Sequence, residues 1–523
     1  MSHIESAPPP PAGFRILDLF AGPGGLDVAA DVLGYQVTGI EWDDDACATR
    51  EAAGMDTFHG DVRKYSASHF PHAQVLTGGP PCQTFTVAGH GAGRRALDDV
   101  LGYIERLHAV VCKDEAEWED ISRTWRAITK ELEEKAAKAE QIKAEKHKVD
   151  ALRAVERKAI KKSLQEAGSS RERIDRVLKA LRASRDLAPE DADLNDLVAQ
   201  YSSLGAVLKS LRAELEKLGD ERTGLVLQPL WWVIERCRRP GLKPFEAVIL
   251  EQVPAVMPVW KKYTEVLATL GYRTMTQLMF TEAFGVPQTR KRAVLMARLG
   301  ETEIPKVDEP HERYGSRTVP AQAPAGKGTP LWESEEEDRD EPKDAADPRP
   351  KDSWVSMEMA LKKARTIAAE LRLSLDLPDR PAFTVVSNYG TGGDPSARGR
   401  RDHDAPSATI TGKVSRNRLV HKGTDIDLPE ECARFTFPEA GVLQTFPVAY
   451  PWSGKDRPQQ IGNAVPPLLA LHVLRHVLEP ELSDEQARAR IEQAVADLEA
   501  WQPGERVKVR EHGDWEGHPL TGK

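Results

Sequence analysis

Phe14-Arg15-Ile16-Leu17-Asp18-Leu19-Phe20 runs directly into Ala21-Gly22-Pro23-Gly24-Gly25-Leu26. The first seven residues read as a buried strand, and the next six as a turn whose glycines let the backbone pass close to another group. Asp27 to Leu33 then has a helical pattern. A strand that turns on glycines into a helix aims backbone amides at a ligand. One such turn is a weak signal, so the units that follow decide. Gln36-Val37-Thr38-Gly39-Ile40 is a second strand, ending in Glu41-Trp42, a carboxylate suited to ribose hydroxyls beside an aromatic face. Gly60-Asp61-Val62 places another acid after a third unit. A single acid of this kind is ordinarily a helix cap or turn residue. Acids in register at successive strand ends favour a nucleoside pocket in an α/β fold.

Farther on, Gln74-Val75-Leu76-Thr77 is a short strand cut off by Gly78-Gly79-Pro80-Pro81, with Cys82-Gln83-Thr84-Phe85-Thr86-Val87-Ala88-Gly89 following. Cys82 therefore sits on a stiff loop at a strand's carboxyl end, where open α/β sheets place their chemistry. By residue type alone a cysteine is more often a small buried hydrophobe than a nucleophile. The prolines before it fix the backbone and remove N–H donors, and the polar Gln83-Thr84 after it argue for an open loop.

The 523-residue chain has room for two or three domains. Its five cysteines are scattered and odd in number, which indicates neither a disulfide framework nor a zinc site and suggests a reducing compartment. The Pro-rich start, Met1 to Gly13, lacks the order of a signal peptide and is expected to be disordered. No apolar run is expected to span a membrane, so the reading is a cytoplasmic protein. A net charge of −10 excludes a uniformly basic surface but not a local one.

The order of these blocks carries a family resemblance. DLFAGPGG, Glu41-Trp42, Gly60-Asp61, GGPPCQTFTVAG, Gln288-Thr289-Arg290-Lys291-Arg292 and Gln460-Ile461-Gly462-Asn463-Ala464-Val465-Pro466-Pro467 stand in the order seen in DNA (cytosine-5)-methyltransferases. The chain resembles that family over roughly residues 14–98, 222–298 and 404–478. The resemblance implies a Rossmann-like, S-adenosylmethionine-dependent methyltransferase core and methyl transfer to cytosine C5 in double-stranded DNA. It implies catalytic roles for Cys82, Glu251 and Arg290. Arg290 would hold the base oxygen, and Arg292 the loop or a phosphate. Gln83 would also meet the substrate. Phe20, Gly22, Gly24, Gly25, Leu26, Glu41, Trp42, Asp61, Val62, Pro80, Asn463 and Val465 would line the methyl-donor pocket, with no metal. Gln252 stands where the family has Asn, and its longer amide would disturb how the cysteine loop is held. Other readings are a tRNA-methylating relative and a non-catalytic DNA-binding scaffold. A cognate restriction endonuclease is a further implied partner, and the core is expected to be monomeric without a membrane association.

Between the two halves of the core, residues 99–221 depart from the family. Trp118, Ile121, Trp125, Ile128 and Leu132 recur by three and four, as do Leu194, Leu197, Tyr201, Leu204, Leu208, Leu211, Leu215 and Leu218, which is heptad spacing. Gly168-Ser169-Ser170 reads as a turn, so an inserted antiparallel coiled coil is expected, projecting roughly 75 Å at 1.5 Å per residue. Ala188-Pro189 is expected to break the return arm. Residues 143–185 hold 14 Lys or Arg against six Asp or Glu, a basic arm that suits DNA or a protein partner. Residues 299–352 read as an acidic, Pro-rich linker, 353–457 as a small target-recognition region, 458–480 as a helix returning to the core, and 481–523 as a helix with a mobile tail.

Overall fold

The computed structural model describes residues 13–81, 92–113, 117–183, 195–218, 221–315, 351–387 and 399–521. These fall into two compact units. One comprises 1–82, 104–121 and 225–523, and the other 83–103 and 122–224.

In the first unit, β1 (Arg15–Leu19), α1 (Gly25–Val32), β2 (Gln36–Glu41), α2 (Asp44–Ala52), β3 (Asp56–His59) and β4 (Val75–Gly78) alternate as the sequence predicts. β5 (Ala247–Gln252), β6 (Tyr272–Phe280), β7 (Gln288–Thr289) and β8 (Lys291–Leu299) follow. The seven-stranded sheet runs β3-β2-β1-β4-β5-β8-β6, parallel from β3 through β5, with β8 antiparallel to both its neighbours. Strand order reverses between β1 and β4, which opens a crevice at their carboxyl ends. β1, β4 and β5 are apolar and buried along almost their whole length because helices cover both faces.

Later helices complete that cover. Ile16, Val75 and Ile249 pack with Leu471, Leu474 and Val477 of a helix over Pro467–Leu478 and with Ala494 of another over Asp484–Ala500. Gly25 makes the return possible: a Cβ there would stand 2.0 Å from the Val465 carbonyl oxygen. The stretch Arg457–Leu478 is, by length and composition alone, apolar enough to cross a membrane, but 72% of its window is buried within the protein, as in a core helix.

The region after Met357 forms a small lobe on the same unit. Strands β9 (Phe383–Val386), β10 (Arg400–Asp402) and β12 (Arg418–His421) make an antiparallel sheet in the order β10-β9-β12, while β11 (Ser407–Ala408) pairs with β7. Phe383, Val385, Leu419 and Phe435 pack with Met357 and Leu361 of the helix Met357–Glu370. Within the stretch read as linker, Ile304 and Val307 are buried in the main core.

The tail also differs from its expected mobility. His59 donates its N–H to the Arg510 carbonyl (2.7 Å) and Arg510 donates to the Thr57 carbonyl (2.8 Å), so the tail extends the sheet beyond β3. Trp515 packs its ring 5.2 to 5.5 Å from those of Phe58, Tyr65 and Phe70. His518 Nε2 lies 2.6 Å from Asp56 Oδ2. An edge strand with open backbone groups and a neighbouring aromatic cluster thus holds the tail down.

The second unit is helical. A helix over Trp118–Glu166 enters it and turns at Gly168, whose φ of 70° suits glycine, into Arg171–Ala183; Asn195–Leu218 follows. Ile142 and Val149 pack with Leu208 and Leu211, and Ile160 and Leu164 with Ile174, Val177 and Tyr201. The guanidinium of Arg153 lies 4.3 Å above the Tyr201 ring. The first and last of these helices therefore run antiparallel. Ala188-Pro189 lies outside the described residues.

Candidate active site

The crevice begins where β1 ends. Phe20 has φ 60°, a left-handed conformation that costs a non-glycine residue about 1 kcal/mol or more. The turn it starts brings the Gly22 N–H onto Glu41 Oε2 at 2.7 Å, while Glu41 Oε1 accepts from the N–H groups of Trp42 (2.9 Å) and Asp43 (2.7 Å). Burial pushes the Glu41 carboxyl up, and these three backbone donors oppose the shift. Trp42 beside it is 64% exposed. At the end of β3, burial acts to raise the Asp61 carboxyl, but the Arg63 guanidinium at 2.5 Å outweighs it and the pKa lies below the ordinary carboxylate value. Asp61 also caps the short turn that starts at the buried Val62. Gly24 precedes α1 with φ 97°, Leu26 is buried within that helix, and Val465 lies against Gly25. The predicted donor-pocket residues thus line the carboxyl ends of β1, β2 and β3 and the return segment. Asn463 is exposed there, its Oδ1 accepting from Gln459 Nε2 at 2.9 Å.

On the other side of the switch, Gly79 donates its N–H to the Leu19 carbonyl (3.3 Å), so the chain entering the cysteine loop is held against β1. Cys82 and Gln83 lie outside the described residues. Pro80, just before them, is bridged to β5: Gln252 donates Nε2–H to the Pro80 carbonyl (2.5 Å) and accepts from the Val253 N–H (2.6 Å). The longer amide therefore fastens the approach to the loop at Pro80.

Glu251, one residue earlier, forms an ion pair with Arg292; their side chains are only 13% and 11% exposed. The strand register explains it. Glu251 stands opposite Val294 across the antiparallel β5–β8 pair, which puts Arg292 on the diagonal of the same face. Glu251 also faces the cysteine-loop entry, since a Cβ on Gly79 would stand 3.6 Å from its Oε2.

The two arginines read from the sequence stand in different surroundings. Arg290, read as the pocket residue, is 3% exposed and donates to the carbonyls of Ile410 (3.1 Å), Gly462 (3.0 Å) and Ala464 (3.4 Å). Burial, with Arg292 adding to it, pushes its guanidinium well below its ordinary pKa. It fastens β7–β8 to the lobe and the return segment, and Arg292 is the arginine paired with the acid. Gln288 works alongside Arg290: it accepts from Ile410 N–H (2.7 Å) and donates to Gln444 Oε1 (2.9 Å).

Sequence reasoning missed the polar layer beneath the crevice. Arg50, fully buried, pairs with Asp27 at 2.6 Å and donates to Thr57 at 2.8 Å. Asp18 accepts from Thr77 Oγ1 at 2.6 Å, and burial with the nearby Asp27 carries its carboxyl up to about 8 against the pull of that hydrogen bond. The only local signal was an Asp inside an otherwise apolar strand. Among the described residues no group of three His, Cys, Asp or Glu could hold a metal ion.

Comparison with known proteins bears on this arrangement. Over 86 residues the chain is 37% identical to the type II methyltransferase M.AplI of Arthrospira platensis, covering 16% of this chain and 25% of that protein. Over 94 residues it is 35% identical to M.NgoPII of Neisseria gonorrhoeae, covering 17% and 27%. The chain thus spans about a quarter of the length of the curated relatives it matches. The S. pombe Dnmt2 methyltransferase structure aligns with a TM-score of 0.44 at 13% identity, covering 90% of this chain and all of that one. Residues 14–106 and 230–479, well over half of the sequence, match one family: the chain belongs to the C-5 cytosine-specific DNA methylase family.

Proposed function

We propose that this protein transfers a methyl group from S-adenosylmethionine to C5 of a flipped-out cytosine in duplex DNA. The observation that carries this reading is the buried Glu251–Arg292 pair facing the Gly79-Pro80 entry to the Cys82 loop, across the strand switch from the Glu41 pocket. The residues fit the donor. Gly22 has open space where a Cβ would point, Glu41 is anchored for ribose hydroxyls, and Phe20, Gly24, Gly25, Leu26, Trp42, Asp61, Val62, Pro80, Asn463 and Val465 would complete the site. Bound there, S-adenosylmethionine would supply an electrophilic methyl group.

Cytosine C5 is a poor nucleophile until a thiolate adds to C6. The Cys82 sulfur would form that bond, pushing electrons through the ring to C5, and Glu251 would hold a proton at N3 as charge develops. Arg292, not Arg290, would steady Glu251 and the base oxygen. After methyl transfer the C5 proton leaves to a base and the S–C6 bond breaks, regenerating the thiolate. The reaction needs the base outside the stack, because neither ring face is open within a duplex. The lobe from 353 to 457 would read the surrounding sequence, and a restriction endonuclease of matching specificity would be a functional partner. The core would act as a monomer in the cytoplasm, without a metal.

Bisulfite sequencing of DNA from cells expressing the protein tests the reading. Context-specific 5-methylcytosine is expected with the natural chain and none with Cys82→Ala. Equal methylation in both, or transfer to tRNA with none to DNA, would overturn it.

A further inference from the structure

We infer that the distal half of the helical insertion, around the turn at Gly168, is a second contact site for duplex DNA that grips phosphates without reading sequence. The inference rests on the DNA reading above, and it concerns residues outside the family match, which leaves out 107–229.

Charge along the hairpin is divided sharply. The outgoing stem, residues 118–140, holds five Lys or Arg and six Asp or Glu, and the return helix, 195–218, holds three of each. These stretches are nearly neutral, as expected of solvated helix surface whose charges pair locally. Residues 143–185 carry 14 basic side chains against six acidic ones in a chain whose net charge is −10. The excess is also presented outward. Lys148, Lys158, Lys161, Arg171 and Lys179 are exposed and, among the described residues, have no hydrogen-bond or ion-pair partner. They lie on both sides of the turn, in the helices Trp118–Glu166 and Arg171–Ala183.

The hairpin does not use these side chains to hold itself together. Ile160, Leu164, Ile174, Val177 and Tyr201 make the local core, with Arg153 laid on the Tyr201 ring. Exposed like charges a turn apart on one helix, such as Lys158 and Lys161, repel. A polyanion relieves that repulsion and releases its condensed counterions, which makes duplex DNA the matching partner. The exposed Leu152 and Val155, neighbours one turn apart, would suit a protein partner instead, but two side chains fall short of the contiguous apolar patch that marks a protein interface.

The test compares the full-length protein with the quadruple variant Lys158→Gln, Lys161→Gln, Arg171→Gln, Lys179→Gln. Glutamine keeps helix propensity, so circular dichroism and melting temperature are expected to match. Binding is measured on a random-sequence duplex several helical turns long across a salt series. The variant is expected to lower the slope of log affinity against log salt by up to about 0.9 for each phosphate it no longer neutralises, and to weaken binding at least tenfold at low salt. Methyl transfer at saturating DNA is expected to be unchanged. Identical salt slopes would overturn the inference while leaving the methyltransferase reading intact. Failure of both proteins to bind any duplex would overturn that reading and the inference with it.

Discussion

In and beneath the crevice, Arg50, Arg290 and Arg292 are almost fully out of solvent, and each is matched: Arg50 to Asp27, Arg292 to Glu251, and Arg290 to three backbone carbonyls. Along the far half of the insertion, Lys148, Lys158, Lys161, Arg171 and Lys179 stand exposed with no counter-ion among the described residues. Both regions are rich in cations, and the contrast between them is one of cost. Removing a charge from water costs several kcal/mol unless a partner is fixed beside it, so a buried cation comes with a fixed geometry. An exposed cation carries almost no such cost and positions nothing. A surplus of them is selected by what arrives from solution.

The largest effects expected are in the paired crevice. Glu251→Gln, whose amide oxygen can still accept from Arg292, is expected to lower kcat by about 10²–10⁴, the usual size of acid–base assistance, with little change in melting temperature, whereas Arg292→Ala strands the buried Glu251 and is expected to lower turnover and stability together. Arg290→Ala is expected to behave differently: it leaves the carbonyls of Ile410, Gly462 and Ala464 without their donor and costs on the order of 3 kcal/mol of stability. Tritium transfer at saturating substrate, run beside thermal unfolding, separates the two classes. An Arg290→Ala protein that keeps its melting temperature but loses turnover would return the pocket role to that residue.

Beneath the crevice, Asp27→Ala strands a fully buried Arg50 and is expected to cost about 3–5 kcal/mol in denaturant unfolding. Asp18 supplies the pH dependence. Its carboxyl is pushed up to about 8 in the folded protein, far above its unfolded value near 4. A raised pKa means the folded state holds the proton more tightly, so this group's contribution is fully present below pH 4 and is lost as pH rises through 8. Asp18→Asn, which can still accept from Thr77, removes that loss. Its stability relative to the natural chain is expected to increase between about pH 4 and pH 8 and to level off above. A gap independent of pH would show Asp18 to be ionised in the fold.

Much of this arrangement is legible in the sequence. The strands, the glycine turn, and Glu41, Asp61 and Glu251 at strand ends declare themselves through local signals, apolar runs and residues that only turns tolerate. What the sequence hid depends on distant pairing. Arg290 and Arg292 are two residues apart and chemically identical; only the placement of Glu251 opposite Val294 selects between them. Gln252 looked too long for its task because the Pro80 carbonyl it reaches is 172 positions away. Trp515 and His518 sit in a polar tail whose partners, Phe58 and Asp56, lie more than 450 residues earlier. Ile304 and Val307 were lost in an acidic, Pro-rich context although both are buried.

The smallest expected effect tests the other side of the contrast. Lys135 on the outgoing stem pairs with Asp99 at 2.7 Å, but the two side chains are 38% and 45% exposed. Solvent screens such a pair, and holding two long side chains together costs entropy, so exposed pairs contribute between nothing and about 1 kcal/mol. A double-mutant cycle with Lys135→Met and Asp99→Asn is expected to give a coupling within that range, falling further in high salt. A coupling well above it would mean that surface ion pairs do help to hold this hairpin. The unpaired lysines beyond them would then be spare structural groups, and the reason for assigning them to an incoming polyanion would be gone.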